Sequence, residues 1–227
     1  MRPARIISSM QIVSPEIEHY LASLISVDAK LAEVAEEGTL LDLPIIDSAV
    51  GRFLETMVLS TGARQILEIG TANGYSALWL SRSLPDDGRV ISIEIDPARA
   101  AVARGHFEAA GLHRRVEVIV GDAARMVHKV AGPFDLIFND GDKRQYGTVL
   151  NRLVSMLRPG GVLLTDNVLW GGAVIPYLES SPQGDTTEAA AIAAYNQQLE
   201  TDDRLATSFL PIRDGLAVSV KRDCNDA

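Results

Sequence analysis

The feature that most constrains this chain is an alternation. From Gln65 to Thr165, short apolar runs of strand length are separated by stretches with helical character. The runs are Gln65–Gly70, Arg89–Ile95, Val116–Val120, Phe134–Asn139 and Val162–Thr165. Helices are expected over Tyr75–Ser83, from Asp96 to Ala110, in a short segment after Gly121, and over Tyr146–Leu157, with Arg158-Pro159-Gly160-Gly161 as the turn that follows. A β-α-β-α order implies parallel strands joined by helical crossovers, with helices on both faces of the sheet. The end of the chain departs from that rhythm. Leu205–Ile212 and Leu216–Lys221 read as an antiparallel hairpin turned at Arg213-Asp214-Gly215. A plain dinucleotide-binding domain has no such hairpin.

Ahead of the alternation, the first sixty residues read as helical. Ser14 suits an N-cap and Pro15 the first turn, and Ile17, Tyr20, Leu21, Leu24 and Ile25 recur at helical spacing. A second helix is expected over Ile46–Leu59. A chain of 227 residues suits one full α/β core better than two. The expectation is a single domain over 1–227, with N-terminal helices in 1–60 and the α/β core in 61–227. Gly171–Thr187, rich in Gly, Pro and Ser, reads as a lid or binding loop.

Bulk properties exclude some classes. No apolar run reaches the roughly 18 residues of a membrane span, and Met1–Val13 lacks the apolar stretch of a signal peptide. The one cysteine, Cys224, cannot form an internal disulfide, so the cytoplasm is the expected compartment. The net charge of −9 disfavours non-specific nucleic-acid binding, although one specific RNA could still meet a local basic patch.

The chemistry-bearing residues cluster at the ends of the expected strands. Glu68-Ile69-Gly70-Thr71-Ala72-Asn73-Gly74-Tyr75-Ser76 closes the first strand and opens a helix. Its glycines permit a tight turn and close approach of a ligand, and the free amides of the helix start suit an anionic group. Only one glycine follows Gly70, four positions on, so this is not the G-x-G-x-x-G loop of pyrophosphate binding. Glu94, at the second strand end, is placed to accept from both hydroxyls of a ribose; the plainer alternative is a solvated carboxylate. Gly121-Asp122-Ala123 ends the third strand and could border an adenine, a weak signal alone. Asp140 ends the fourth strand and Asp166-Asn167 the fifth. Two carboxylates and an amide at neighbouring strand ends are hard oxygen ligands suited to Mg²⁺, Mn²⁺ or Ca²⁺, unless each simply caps its loop. Lys143 lies three residues after Asp140, and an ammonium beside a divalent cation gives up its proton more readily. That would make it a general base rather than a surface lysine. The histidines His19, His106, His113 and His128 show no ligand spacing and read as structural or solvated, with no zinc site.

Taken together, LEIGTANGYSALWL, VISIEIDP, GDA, FDLIFNDGDK, LRPGGVLLTDNVLWGG and LPIRDGLAVSVK resemble, in order and spacing, the cation-dependent O-methyltransferases. That family includes catechol and caffeoyl-coenzyme A O-methyltransferases and many bacterial relatives. The resemblance spans nearly the whole chain. It implies a Rossmann-like, doubly wound, seven-stranded sheet, S-adenosylmethionine (SAM) as cofactor and a divalent cation. It also implies roles. Glu68, Gly70, Thr71 and Ser76 would hold the methionine part of SAM, Glu94 its ribose, and Ala123 would border its adenine, with further cofactor contacts from Asp142 and the backbone near Ile46. Asp140, Asp166 and Asn167 would bind the metal, Lys143 would be the base, and Trp170 and Asp214 would contact substrate. A homodimer built partly by the N-terminal helices is also expected. Asn139 stands where the family is usually apolar, and Gly141 where it usually has alanine or a larger residue.

The expected reaction is methylation of a hydroxyl oxygen on a small phenol or catechol. One branch of the family methylates 5-hydroxyuridine in tRNA. The glycine-turn stretch looks like that branch, but Asp140-Gly141-Asp142-Lys143 looks more like the small-molecule branches. A nicotinamide-dependent oxidoreductase is the rival from another class, because Glu94 would serve it equally well. The poor pyrophosphate loop and the terminal hairpin stand against it.

Overall fold

The computed structural model describes residues 13–177 and 187–223. Cys224, the first twelve residues and most of the second half of the 171–187 loop lie outside them. The chain begins with three helices: α1 (Pro15–Ser23), α2 (Ala29–Leu40) and α3 (Ser48–Thr61). Each has a side-chain cap where the backbone amides need one. Ser14 accepts from Ile17, Asp28 from Leu31 and Asp47 from Val50. Gly62 closes α3 in the left-handed conformation.

The alternating region follows as β1 (Gln65–Ile69), α4 (Tyr75–Ser81), β2 (Arg89–Glu94), α5 (Pro97–Ala109), β3 (Val116–Val120), α6 (Ala123–Met126), β4 (Phe134–Asn139), α7 (Tyr146–Met156) and β5 (Leu157–Asp166). After it come α8 (Glu188–Thr201) and the hairpin β6 (Leu205–Leu210) and β7 (Leu216–Lys221). The seven strands form one sheet in the order β3-β2-β1-β4-β5-β7-β6, parallel through β5 and antiparallel at β7 and β6. This is the expected doubly wound sheet with its terminal hairpin.

Two buried apolar layers cover the sheet. One joins α2, α3 and α4 to residues such as Ile66, Leu136 and Leu164. The other joins α7 and α8 to Leu67, Ile137 and Leu163. From Leu136 on in β4, and along β1 and β5, the alternation of neighbours is the pleat itself, odd residues to one layer and even to the other. The N-terminal helices seat on α4 through Trp79, which is fully buried. Gly51 of α3 faces that indole, and a Cβ there would lie 2.3 Å from a ring nitrogen, so only glycine lets the helices approach so closely. The guanidiniums of Arg52 and Arg82 each lie 5.1 Å from the Trp79 ring centroid.

Some boundaries differ from expectation. The expected turn Arg158–Gly161 belongs to β5, which starts at Leu157; its pairing with β4 slips between Phe134 and Leu136, and the irregular stretch takes up the extra residues. Within 171–187, Trp170–Gly172 and Ile175–Tyr177 form single 3₁₀ turns. The helix α2 falls within the region read as helical, and α8 lies beyond the elements read from the sequence. In α8, Ile192, Tyr195 and Leu199, with Ala190 and Ala193 between them, pack against the core. His106 is structural, as expected: its Nε2 lies 2.8 Å from the Glu37 carboxylate and its Nδ1 3.1 Å from the Lys30 ammonium, tying α5 to α2. Among the described residues, no helix is long and apolar enough to cross a membrane.

Candidate active site

The sheet register brings the strand ends together. Ile69 pairs with Ile93 and Asn139, and Asn139 with Thr165, so the residues after these positions emerge side by side. Strand order reverses between β1 and β4, the place where open α/β sheets bind ligands. A cavity of about 340 Å³ opens there. Its wall includes Ile46, Gly70, Thr71, Ser76, Glu94, Ala123, Asp140, Asp142, Lys143, Asn167 and Trp170, all singled out from the sequence. Glu68, Asp166 and Asp214 are not on that wall and stand behind it.

The β1–β2 side of the cavity is closely bonded. Gly70 has φ 95°, and a Cβ on it would lie 2.5 Å from the Asp140 carbonyl oxygen, so the turn needs glycine on both counts. The Glu94 carboxylate does not hang free. Its Oε2 accepts from the Thr71 and Ala72 amides at 3.2 and 2.8 Å, and its Oε1 from the Asp96 amide at 2.9 Å. One lone-pair position of Oε1 remains for a ligand. Glu68 is fully buried and accepts from the hydroxyls of Ser76, at 2.6 Å, and Ser92. Burial pushes its carboxyl up to about 8, against the lowering effect of the two hydroxyls. It therefore acts through Ser76, whose residue does line the cavity. Gln145 was missed from the sequence. It also lines the cavity, and it clamps the Gly121-Asp122-Ala123 turn by donating to Asp122 at 2.9 Å and accepting from the Ala124 amide at 3.3 Å.

The β4–β5 side is charged and less settled. Lys143 donates to Asp140 Oδ1 at 2.8 Å, and its ammonium lies 5.5 Å from the Tyr146 ring centroid. Asp166 is fully buried; its Oδ1 accepts from the Asn167 amide, while its Oδ2 has no hydrogen-bond partner. The nearest cation to that oxygen is Arg213, 3.7 Å away. Burial, and then the charge of Asp140, push the Asp166 carboxyl up to about 7; burial also raises Asp140, with Lys143 opposing. Asp214 holds the rim in place: it accepts from the Gly171 amide and from the Asn167 side chain at 3.4 Å. Asn139 faces the α8 side, near Thr165 and Tyr195, whose hydroxyls share a bond of 2.7 Å. Its Nδ2 is buried and lacks a well-aligned acceptor.

Backbone strain concentrates on this side. Among the described residues, Asp42, Ala72, Asn167, Trp170 and Arg213 are the non-glycine residues with positive φ, and the last four line the cavity. Such conformations cost on the order of 1–3 kcal/mol each and cluster at functional sites. Arg213 is a second residue that the sequence reading passed over. An arginine in a turn of positive φ just before Asp-Gly was the available signal.

Could the site hold a divalent cation? Among the described residues, no group of three or more His, Cys, Asp or Glu side chains converges as a metal centre. The candidate set is two carboxylates and one amide, and it fits a hard cation on one observation. A buried carboxylate oxygen without a hydrogen-bond donor lies beside a second, partly buried carboxylate, with only the loose charge of Arg213 at 3.7 Å to balance it.

A reversed strand order, a glycine turn without a pyrophosphate loop and an acidic second strand end define a nucleoside-cofactor enzyme of the SAM-dependent methyltransferase class. Comparison with known proteins narrows this further: the O-methyltransferase family model matches residues 11–222, and the chain belongs to that family. A catechol O-methyltransferase from Niastella koreensis is 37% identical over 177 residues, covering 73% of this chain and 78% of that protein. A catechol O-methyltransferase from Mycobacterium tuberculosis is 35% identical, covering 79% and 80%. Among solved structures, the O-methyltransferase from Bacillus cereus in complex with S-adenosylhomocysteine (SAH) superposes with a TM-score of 0.82 at 32% identity, covering 91% of this chain and 97% of that one. The chain is a SAM-dependent O-methyltransferase.

Proposed function

We propose that this enzyme, acting as one domain, methylates a hydroxyl oxygen of a small phenolic or catechol-like acceptor, with a divalent cation held by Asp140, Asp166 and Asn167. The observation that carries this reading is the unpartnered, buried Asp166 Oδ2 beside Asp140. The names of the most similar relatives support the acceptor class.

SAM supplies a methyl already activated on a sulfonium, and the cation would supply Lewis acidity that makes a hydroxyl easier to deprotonate. The chain's own residues do the rest. The glycine turn and Ser76 hold the amino-acid end of the cofactor, with Glu68 fixing the Ser76 hydroxyl. Glu94 offers its remaining lone pair to the ribose. Ala123 and Ile46 give the adenosine apolar walls, and Asp142 adds a polar contact. Lys143, near the acceptor end, would take the proton from the hydroxyl at Nζ as the neutral amine, after the ammonium bonded to Asp140 has passed its own proton to solvent. Trp170 packs on the acceptor, and Asp214 keeps Asn167 and Gly171 in place. Removing the proton makes the oxygen nucleophilic, and holding both reactants aligned is worth up to roughly 7–11 kcal/mol of barrier.

The test is methyl transfer from labelled SAM to a catechol, with and without chelator. Loss of activity in chelator, restored by Mg²⁺ or Mn²⁺, is expected. Full activity in excess chelator, with no metal found by elemental analysis, would sink the cation assignment.

We also propose that the chain pairs with a second copy through α1. That helix buries no residue, and Ile17, Tyr20, Leu21 and Leu24 are exposed along it. Light scattering at micromolar concentration should give the dimer mass; a monomer mass refutes the pairing.

A further inference from the structure

Arg213 was read from the sequence only as part of the hairpin turn, yet it sits on the cavity wall at the acceptor end. It occupies the turn between β6 and β7 with φ 50°, a conformation that arginine adopts only under strain. A glycine there would be unstrained, so the side chain, not the turn, accounts for an arginine at this position.

The guanidinium is only partly used. Its Nη2 donates to the Ile45 carbonyl at 3.1 Å, its Nη1 stands 3.7 Å from Asp166 Oδ2, and its side chain is 37% exposed. Five N–H donors are available and one makes a hydrogen bond. The loose contact with Asp166 is an attraction between opposite charges rather than a hydrogen bond. A divalent cation at Asp140 and Asp166 would cancel the charge that draws Arg213 to this carboxylate. At this end of the cavity the carboxylates of Asp140, Asp166 and Asp214 outweigh the one guanidinium of Arg213, and a bound divalent cation would offset that excess of negative charge. A planar guanidinium with free donors, in a pocket whose negative charge a cation would offset, is suited to a carboxylate.

We propose that Arg213 recognises a carboxylate on the acceptor, so that the enzyme prefers hydroxyaromatic acids to neutral phenols. The proposal rests on the reading that the acceptor is a phenolic hydroxyl.

Calorimetry on the Mg²⁺-loaded, SAH-bound enzyme tests it with two ligands, 3,4-dihydroxybenzoate and neutral 4-methylcatechol. The parent should bind the acid about tenfold more tightly, the effect of one charge-assisted contact. Arg213→Gly relieves the strained φ and should fold at least as well as the parent. In it the preference for the acid should vanish, while affinity for 4-methylcatechol and SAH stays within about twofold of the parent. Arg213→Lys should keep part of the preference, having the charge without the fork. Equal affinity of the parent for both ligands overturns the proposal. So does an Arg213→Gly variant that loses both ligands and SAH alike, because the arginine would then only pin Ile45. Methylation of 4-methylcatechol by the parent, followed with labelled SAM, separates the two levels. If it proceeds without any preference for the acid, the phenolic reading stands and the arginine proposal falls. If neither compound binds nor is methylated, both fall.

Discussion

The two sides of the cavity are built on opposite principles. Around β1 and β2, every carboxylate is met by donors of the chain itself. Glu94 takes three backbone amides and Glu68 two hydroxyls. Around β4 and β5, Asp166 keeps an oxygen with no donor, Arg213 hovers at 3.7 Å, and three non-glycine residues are held at positive φ. The first side is preorganised for a ligand that is the same in every turnover. The second carries unbalanced charge and strained backbone, and its residues are completed by what binds. On the proposed assignment, the rigid side would hold the cofactor, and the side with unsatisfied charge would hold the acceptor and the metal.

If that contrast is right, the largest effect on rate should come from the acceptor side. Lys143→Met is expected to lower the rate about 10²–10⁴-fold at neutral pH, the usual worth of a proton acceptor, while SAH affinity by calorimetry stays at the parent's value. Part of the loss should return at alkaline pH, where solvent can remove the proton. A variant with the parent's neutral rate would make Lys143 a surface cation and break the comparison.

A smaller effect, of another kind, is expected from the cofactor side. Glu94→Ala should weaken SAH binding by about 10–100-fold, the loss of one or two charge-assisted bonds, with little change in rate at saturating SAM. It should also lower the melting temperature, because the amides of Thr71, Ala72 and Asp96 lose their acceptor. An unchanged dissociation constant would remove Glu94 from the cofactor site.

The smallest effect concerns Glu68. Its carboxyl is raised to about 8 in the folded chain, from 4.5 when exposed, so the fold favours the protonated form. The stability it contributes is complete below about pH 4.5 and is lost as pH rises through about 8. Glu68→Gln, which cannot ionise, should flatten the fall in melting temperature of the ligand-free enzyme across that window. Parallel curves for parent and variant would show that Glu68 does not titrate there.

The cofactor side was the more legible one in the sequence, for a physical reason. Its working parts are backbone features, a glycine turn and residues at strand ends, which local sequence specifies directly. Asp140, Asp166 and Asn167 were equally readable because each follows an apolar strand. What escaped were residues whose role depends on packing from a distance. Gln145 reaches back to the turn at Asp122, and Arg213 crosses from the hairpin to Ile45. Asp214 reads as a substrate contact in the sequence, and its bonds to Gly171 and Asn167 follow from the way the hairpin turn folds onto the β5 end. The helix α8 carries a readable signal that went unused, since its buried Ile192, Tyr195 and Leu199 recur at helical spacing just after the 171–187 loop.

Gly70 has a consequence beyond its own turn. At that residue the end of β1 passes against the strand end carrying Asp140, with no room for a methyl group between them. Methyl transfer needs sulfur, carbon and oxygen nearly collinear, with the reacting atoms about 3–3.5 Å apart. The side chains around the cavity can swing and exchange partners, but none of them sets the separation of the two strand ends. That gauge is the closeness of two backbones, and it is preserved only while position 70 carries no side chain.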